Sequence, residues 1–512
     1  MALTMSQIMT LLSEHNLLIE KNNEPNEPTN FAHVTYDSRQ VVPQTLFFCK
    51  GNFQAAYLTQ AKNQGATAYV AEHYYQEGTG LTAIIVSNVQ QAMALLGAAF
   101  YDFPQNKLFI TGITGTKGKT TTAYFAHGIQ NAQTEGKTAL FSTIDRIVGP
   151  KPEQQFKSNL TTPESLDLFH DMAEAVASGM TQLIMEVSSQ AFKKNRVYGL
   201  KYDLGIFLNI SPDHIGRNEH PTFADYLYCK EQLLRNSKNV IINAETDHFD
   251  EIYSAAQGFL PEENIYLYAR ENSLISFETQ VDFEFAETRQ DLSASEINVH
   301  SYSDKGEQLQ LDGTYEIDIP GDYNQQNALA AIIAAGMAGA SATEIRQQLP
   351  AVRVPGRMEV FQTEHHGTVY VDYAHNYASL KSLLSFLHQQ EPDEKLLVVT
   401  GSAGDKGISR RSGLGQAIGE VADVAILTAD DPATEDPIAI AQEIASHINN
   451  DQVTVQIVAD RKTAITQAVQ LSQPGEIVVV AGKGRDATQK IQGQDVPYES
   501  DVKIVEDLLK ER

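Results

Sequence analysis

"KLFITGIT", "TQLIMEVSS", "DLGIFLNI" and "NVIINA" are short apolar runs without alternation, and helix-length segments separate them. A strand with one wet face alternates apolar and polar residues; a strand buried on both faces does not. Such runs therefore require helices on both sides of a parallel sheet, and the fold class is α/β. The pattern recurs after "RVPGRMEV". There "TVYVDYA", "KLLVVTGS", "DVAILTA", "TVQIVAD" and "EIVVVAG" alternate with helical stretches and predict a second doubly wound, Rossmann-like sheet. Residues 1 to about 105 mix short apolar runs ("TLFFCK", "ATAYVAE", "TAIIVS") with helical segments and read as a small α/β unit. A chain of 512 residues exceeds one ordinary core. Three domains are expected, over 1–105, 106–350 and 351–512. Between about 259 and 320, alternating segments such as "INVHSY" and "YEIDIP" predict an antiparallel appendage, followed by an alanine-rich helix in "NQQNALAAIIAAGMAGA".

The stretch "LFITGITGTKGKTTTAYF", residues 108–125, joins a strand to a helix through a glycine-rich turn. The common phosphate loop is spelled G-x-x-x-x-G-K-[ST]. Here Ile113 stands where its first glycine belongs, and glycines occupy 112 and 115 instead. Gly115 and Gly118 still let backbone N–H groups converge on phosphate oxygens. Lys119 adds positive charge and Thr120 an oxygen suited to magnesium, so a nucleoside triphosphate is the expected ligand. "IMEVSSQ" ends a buried strand with Glu186, Ser188 and Ser189. Ligands gather at the carboxyl ends of such strands. A carboxylate about 4 Å from a phosphate charge costs roughly 4 kcal/mol at an effective dielectric of about 20. Glu186 is thus either a solvent-facing strand end or the partner of a cation. "NISPDHIGRNEHPTFADYLYCKEQLL" brings Asp213, His214, His220 and Lys230 past the next strand. Spacing alone leaves each histidine as structural or ligating, and Lys230 as a phosphate contact or a solvated helix residue.

A formal charge of −27 excludes a broad basic surface for nucleic acid or anionic membrane. The N-terminal "MALTMSQIMTLLSEHN" has no basic flank leading into an apolar run, and no stretch reaches the ~20 apolar residues that cross a bilayer. Two cysteines, Cys49 and Cys229, are too few for a disulfide framework or a zinc cluster. The expectation is a cytoplasmic protein without nucleic-acid partners or membrane insertion.

"GTKGKTTT", "MEVSSQA", "NISPDHIG", "YLYCKEQLL", "GDYNQQNALAA", "VPGRMEV", "VDYAHNYASL" and "GKGRDATQ" together resemble the Mur ligase family, in order and over nearly the whole chain. The family loop is G-T-x-G-K-T, which Gly115, Thr116, Lys117, Gly118, Lys119 and Thr120 match, so Ile113 is a family spelling. "TYDSRQV", "NLTTPES" and "MEVSSQA" narrow the resemblance to the MurE-type branch, which forms the UDP-MurNAc-tripeptide. The resemblance implies ATP and UDP-MurNAc-L-Ala-D-Glu as substrates, in a step of peptidoglycan synthesis that serves cell-wall biogenesis and cell division. It places Ser38, Thr161, Thr162, Ser188 and Arg196 at the acceptor, and Asn327, Arg357, Asp372, Tyr373 and His375 at ATP. It makes Thr120, Glu186 and His214 magnesium-associated, with two ions expected, and Lys230 the lysine that CO2 carbamylates. Lys119, Glu186, His214 and Lys230 become the catalytic set, and the chain is expected to act as a monomer. One departure is local: "DHIGRNEHPTF" replaces the familiar "DHLDYHGT", which leaves the role of His220 open.

Asp430, Asp431, Pro432 and Ala433 stand where the branch carries its amino-acid recognition motif. Enzymes adding meso-diaminopimelate usually read Asp-Asn-Pro-Arg, whose arginine forks onto a distal carboxylate. Ala433 cannot make that contact. Acidic surroundings from Asp430, Asp431 and Asp486 suit the distal ammonium of L-lysine, with Gly482 nearby and Arg411 at the α-carboxylate. "DDP" can equally cap a turn, and both readings hold together. The competing functions are the same scaffold adding meso-diaminopimelate or ornithine, a folylpolyglutamate-synthase-like ligase, and a P-loop protein that binds nucleotide without ligating.

Overall fold

A computed structural model describes residues 2–22, 28–213, 215–216, 219–275, 279–292 and 294–510. The chain packs into two compact units, one of Met1–Ala286, Asn298–Thr314 and Gln326–Leu349, the other of Glu287–Ile297, Tyr315–Gln325 and Pro350–Arg512.

Among the described residues, the first unit contains a two-stranded pair, Leu3–Thr4 with Asn30–Phe31, and two large sheets. The smaller has the strand order Leu18–Lys21, Thr82–Val86, Ala66–Ala71, Thr45–Phe48, His33–Thr35; only the first pair runs antiparallel. The larger is parallel through its middle, in the order Thr138–Phe141, Gln182–Glu186, Phe109–Thr114, Tyr202–Phe207, Ser237–Asn243, Ile265–Arg270. The four apolar runs are thus neighbouring strands, and Phe109–Thr114 is flanked on both sides. Gln182–Glu186 is buried at every position, as its lack of alternation requires.

The helix just before the expected boundary near residue 105 is shared between two cores. Helix Val89–Phe100 lies between two cores: Met93, Leu96 and Phe100 join that of the smaller sheet, while Ala94 and Ala98 join that of the larger. A Cβ on Gly97 would lie 2.8 Å from Leu166 Cδ2, so this helix and Ser165–Ala177 approach as closely as a glycine allows. The antiparallel appendage is corrected at its start. Ile265–Arg270 pairs parallel with both Ser237–Asn243 and Phe283–Gln290. Alternation reports one wet face and does not encode strand direction.

In the second unit the five predicted strands form one parallel sheet, ordered Thr368–Asp372, Ile477–Ala481, Leu396–Thr400, Val424–Leu427, Thr454–Ile457, with Glu359–Phe361 antiparallel at its edge. Val371, Val399 and Val480 face helices Arg461–Leu471 and Asp501–Lys510 in one apolar cluster. Arg461 and Asp501, the first residues of those two helices, have completely buried side chains paired at 2.7 Å.

Candidate active site

Phe109–Thr114 ends at the glycine turn, and helix Lys119–Gln133 starts from it. Gly118 caps the helix in the left-handed region, φ 82°, where a side chain is strained. A Cβ there would also fall 2.2 Å from Asn327 Oδ1. The turn is fixed from outside: the Thr116 and Lys117 amides donate to Asn209 O and Oδ1 at 3.0 and 2.9 Å. The buried Thr116 hydroxyl lies 3.0 Å from that of Tyr226. Lys119 Nζ folds back onto Gly115 O at 2.7 Å.

Glu186, at the end of the neighbouring strand, is fully buried. Its Oε1 accepts from the Thr120 hydroxyl at 3.0 Å and the Thr143 amide at 2.7 Å, and its Oε2 from the Thr143 hydroxyl at 3.0 Å. The solvent-facing alternative for Glu186 is therefore excluded. A buried carboxylate beside a threonine hydroxyl at a helix N-terminus is a hard oxygen donor set of the kind that suits magnesium. Thr143 carries no sequence motif and was invisible to pattern reading. His214 lies outside the described residues.

Lys230 sits on helix Phe223–Arg235, almost wholly buried, with Nζ 2.6 Å from the same Gly115 carbonyl. Burial first, then the Lys119 and Lys117 charges, push its amine well below the usual lysine range, with Asp213 opposing. The solvated reading of Lys230 is thereby excluded. His220 is also buried, 2.9 Å from Ser189 Oγ and 2.6 Å from Asp225 Oδ2.

Four of the five expected acceptor residues, Thr161, Thr162, Ser188 and Arg196, form a continuous polar chain in this unit through Thr143 and Glu186. Thr161 Oγ1 accepts from the Thr143 hydroxyl at 3.1 Å. Thr162 Oγ1 donates to Glu186 O at 3.0 Å and accepts from the Ser188 amide at 3.0 Å. Arg196 holds Thr162 O at 3.2 Å and Glu164 Oε1 at 3.0 Å, and Lys50 reaches Glu164 Oε2 at 2.6 Å. Burial would raise the Glu164 carboxyl, but Arg196 and Lys50 outweigh it and hold it below its usual value. Glu164 and Lys50 were missed: nothing local marks a pair 114 positions apart. Ser38 is buried, donating to Gln60 Oε1 at 2.9 Å.

In the second unit, the remaining four expected ATP residues lie around the end of Thr368–Asp372. Asp372 accepts from the Met358 and Ala374 amides at 3.0 and 2.7 Å, with Arg357 Nη1 3.9 Å away. The Arg357 guanidinium lies over the Tyr373 ring at 5.1 Å, and its buried Nε has no hydrogen-bond partner among the described residues. His375 Nδ1 is 2.7 Å from Tyr373 O.

The amino-acid motif follows Val424–Leu427. Asp430, Asp431 and Asp486 do converge, but around a cation of the protein's own. Lys483 Nζ, 2% exposed, lies 2.8, 3.5 and 4.0 Å from Asp431, Asp486 and Asp430. Burial disfavours that ammonium; Asp430 and Asp431 overcome the penalty and hold it above the usual lysine range. Gly482 makes the approach possible, because a Cβ would stand 2.7 Å from Asp430 Oδ2. Arg411 Nη2 forks onto Glu435 at 2.8 and 3.0 Å, and its Nη1 pairs with Glu443 at 2.7 Å. Pro432 O lies against Gly404, where a Cβ would fit only 2.0 Å away. Ala433 is buried, with φ 51°. Lys483 lies within "GKGRD", where no role is expected for it; its nearest partner, Asp431, stands 52 residues away and leaves no local signal.

Two family patterns match this chain: the Mur ligase middle domain over residues 113–335, and the Mur ligase, glutamate ligase domain over 356–484. The UDP-N-acetylmuramyl-tripeptide synthetase of Ligilactobacillus salivarius (strain UCC118) is 58% identical over 511 residues, 100% of both chains. The UDP-N-acetylmuramoyl-L-alanyl-D-glutamate–L-lysine ligase of Enterococcus faecalis (strain ATCC 700802 / V583) is 48% identical over 94% of this chain and 92% of its own. Among solved structures, a UDP-N-acetylmuramoyl-L-alanyl-D-glutamate–2,6-diaminopimelate ligase superposes with a TM-score of 0.64 at 26% identity, over 100% of this chain and 99% of that one.

Proposed function

This chain belongs to the Mur ligase family, and we propose that it is the ATP-dependent ligase joining L-lysine to the D-Glu γ-carboxylate of UDP-MurNAc-L-Ala-D-Glu. The observation that carries this reading is the Thr120–Glu186 hydrogen bond of 3.0 Å, which sets a buried carboxylate against the first turn after a phosphate loop.

A carboxylate is a poor electrophile. ATP overcomes this by giving its γ-phosphoryl group to a γ-carboxylate oxygen of D-Glu, which yields an acyl phosphate and ADP. The lysine α-amine attacks the acyl carbon, a tetrahedral intermediate forms, the C–O bond to phosphate breaks, and the amine proton passes to solvent or phosphate. The chain's part is positioning and electrostatics. Gly115 to Gly118 cradle the phosphates, and Lys119 swings from Gly115 O to the transferring group. Thr162, Ser188 and Arg196 hold the muramoyl dipeptide beside it. Thr120, Glu186, His214 and a carbamylated Lys230 would hold two magnesium ions, which screen the phosphate charge when bound. The depressed Lys230 amine supports carbamylation, because a neutral amine is the form that attacks CO2.

Residues 1–105 would bind the uridine end through Ser38, 106–350 ATP, and 351–512 the amino acid. Asn327 in the first unit, and Arg357, Asp372, Tyr373 and His375 in the second, are further proposed ATP contacts. Arg357 Nε, without a hydrogen-bond partner among the described residues, supports a ligand at that guanidinium. Ala433 supports lysine over meso-diaminopimelate, as does the lysine-ligase name of the Enterococcus relative. With Lys483 inside the acidic cluster, three carboxylates and one ammonium still leave net negative charge for a distal ammonium. No helix among the described residues is long and apolar enough to cross a membrane, and we place the enzyme, as a monomer, in the cytoplasm with its ATP.

Phosphate release with UDP-MurNAc-L-Ala-D-Glu and a panel of diamino acids tests the reading. Lysine should give the highest rate, with no release when acceptor or amino acid is withheld. ATP hydrolysis independent of both would overturn it.

A further inference from the structure

His220 has no part in the chemistry above, yet it is fully buried and hydrogen-bonded at both ring nitrogens. Asp225 is acceptor-only when ionised, so Nδ1 carries the proton, and Nε2 is left to accept from the Ser189 hydroxyl. Asp225 is in turn anchored by Lys193 at 2.7 Å. The order Asp–His–Ser is that of a hydrolytic triad, but Ser189 is only 4% exposed, which denies it a substrate. His220, Asp225 and Cys229 also have ligand atoms within 4.8 Å of one another. Burial, foremost, pushes the Cys229 thiol up to about 11, which opposes the thiolate a metal needs, and Lys193 already occupies the Asp225 carboxylate.

What the relay connects is more telling. Ser189 follows Glu186 by three residues and opens the short helix Ser189–Lys193. Asp225 lies on helix Phe223–Arg235, which also carries Lys230 and Tyr226, the latter against Thr116 of the phosphate loop. We propose that His220 is a positioning residue: through Ser189 and Asp225 it ties the strand end bearing Glu186 to the helix bearing Lys230, fixing the spacing of the two groups that hold metal. This rests on the metal and carbamate roles proposed above. The lengthened linker "GRNEHPTF" keeps a histidine at this junction, which accounts for His220 as a structural tie and not a ligand.

Full-length His220→Ala and Ser189→Ala are compared with the unaltered protein by 13C NMR after 13C-bicarbonate loading, and by magnesium titration of ADP formation at saturating acceptor. His220→Ala should lower the carbamate signal and raise half-saturating magnesium about tenfold, with Ser189→Ala intermediate, as supporting residues around ligands do. The acceptor KM should change less than half-saturating magnesium, because the hydrogen bonds described for the relay join His220, Ser189, Asp225 and Lys193 and reach no expected acceptor side chain, although Ser189 adjoins Ser188 in the chain. An unchanged carbamate signal and magnesium response in His220→Ala overturns the proposal. If that variant fails to fold, the same result in Ser189→Ala overturns it. Absence of any carbamate in the unaltered protein would remove the underlying metal reading, and this inference with it.

Discussion

Lys119 and Lys230 donate to the same oxygen, the carbonyl of Gly115, at 2.7 and 2.6 Å. Two ammoniums about 4 Å apart repel by roughly 4 kcal/mol at an effective dielectric of about 20. Lys230, the more buried, is the one driven toward the neutral amine. Lys230→Ala should therefore cut phosphate release at least about 100-fold, a loss typical of removing preorganised charge. High bicarbonate should not restore it, whereas a short carboxylic acid should do so in part. Full turnover in Lys230→Ala removes the carbamate role.

Gly118→Ala should impair nucleotide binding with little effect on folding. The left-handed φ of 82° costs a side chain about 1–2 kcal/mol, and the new methyl would displace Asn327, whose Oδ1 is 2.2 Å from the Cβ position. Calorimetry with a non-hydrolysable ATP analogue should show affinity down about tenfold. Unaltered affinity would mean that the turn does not grip phosphate.

Arg461 and Asp501 are both at 0% exposure, with Arg461 also donating to Ala481 O and Asp501 accepting from the Gly484 amide. Removing one partner strands the other's charge. Asp501→Asn should cost about 3–5 kcal/mol of stability, and Arg461→Met with Asp501→Leu considerably less. Urea unfolding of the two variants checks the order.

His127 Nε2 lies 3.0 Å from Thr138 O, and burial pushes its imidazole down to about 4. The unfolded state, near 6.5, then takes up a proton that the folded state refuses between those pH values. Stability attributable to His127 is full above about pH 6.5 and falls as pH drops toward 4, by up to about 3 kcal/mol. His127→Gln should flatten that part of the pH profile of the urea midpoint. Parallel profiles would refute the assignment.

Ala433→Arg should lower kcat/KM for lysine about tenfold by adding like charge near the expected ammonium site. Preference of the unaltered enzyme for meso-diaminopimelate at equal concentration would overturn the argument from "DDPA".

The sheets were legible because a twice-buried strand must be apolar at every position, and the loop because glycine, lysine and threonine serve phosphate in a fixed order. Strand direction near 265 was not, since periodicity carries no polarity. Glu186 was legible as a choice between solvent and cation; Thr143, which removes that choice, lies 43 residues upstream. The acidic character around Asp430 was legible, but Lys483 at its centre was not. Charges that meet only after folding leave no periodic trace in the chain.

Because helix Val89–Phe100 feeds two cores at once, residues 1–105 cannot be cut away cleanly. A fragment starting at residue 106 would bare Leu166 and Phe169, which pack over Gly97, to water, a greasy scar prone to clumping. The larger sheet thus inherits part of its packing from its neighbour, and either sheet could be exchanged only by rebuilding that shared helix.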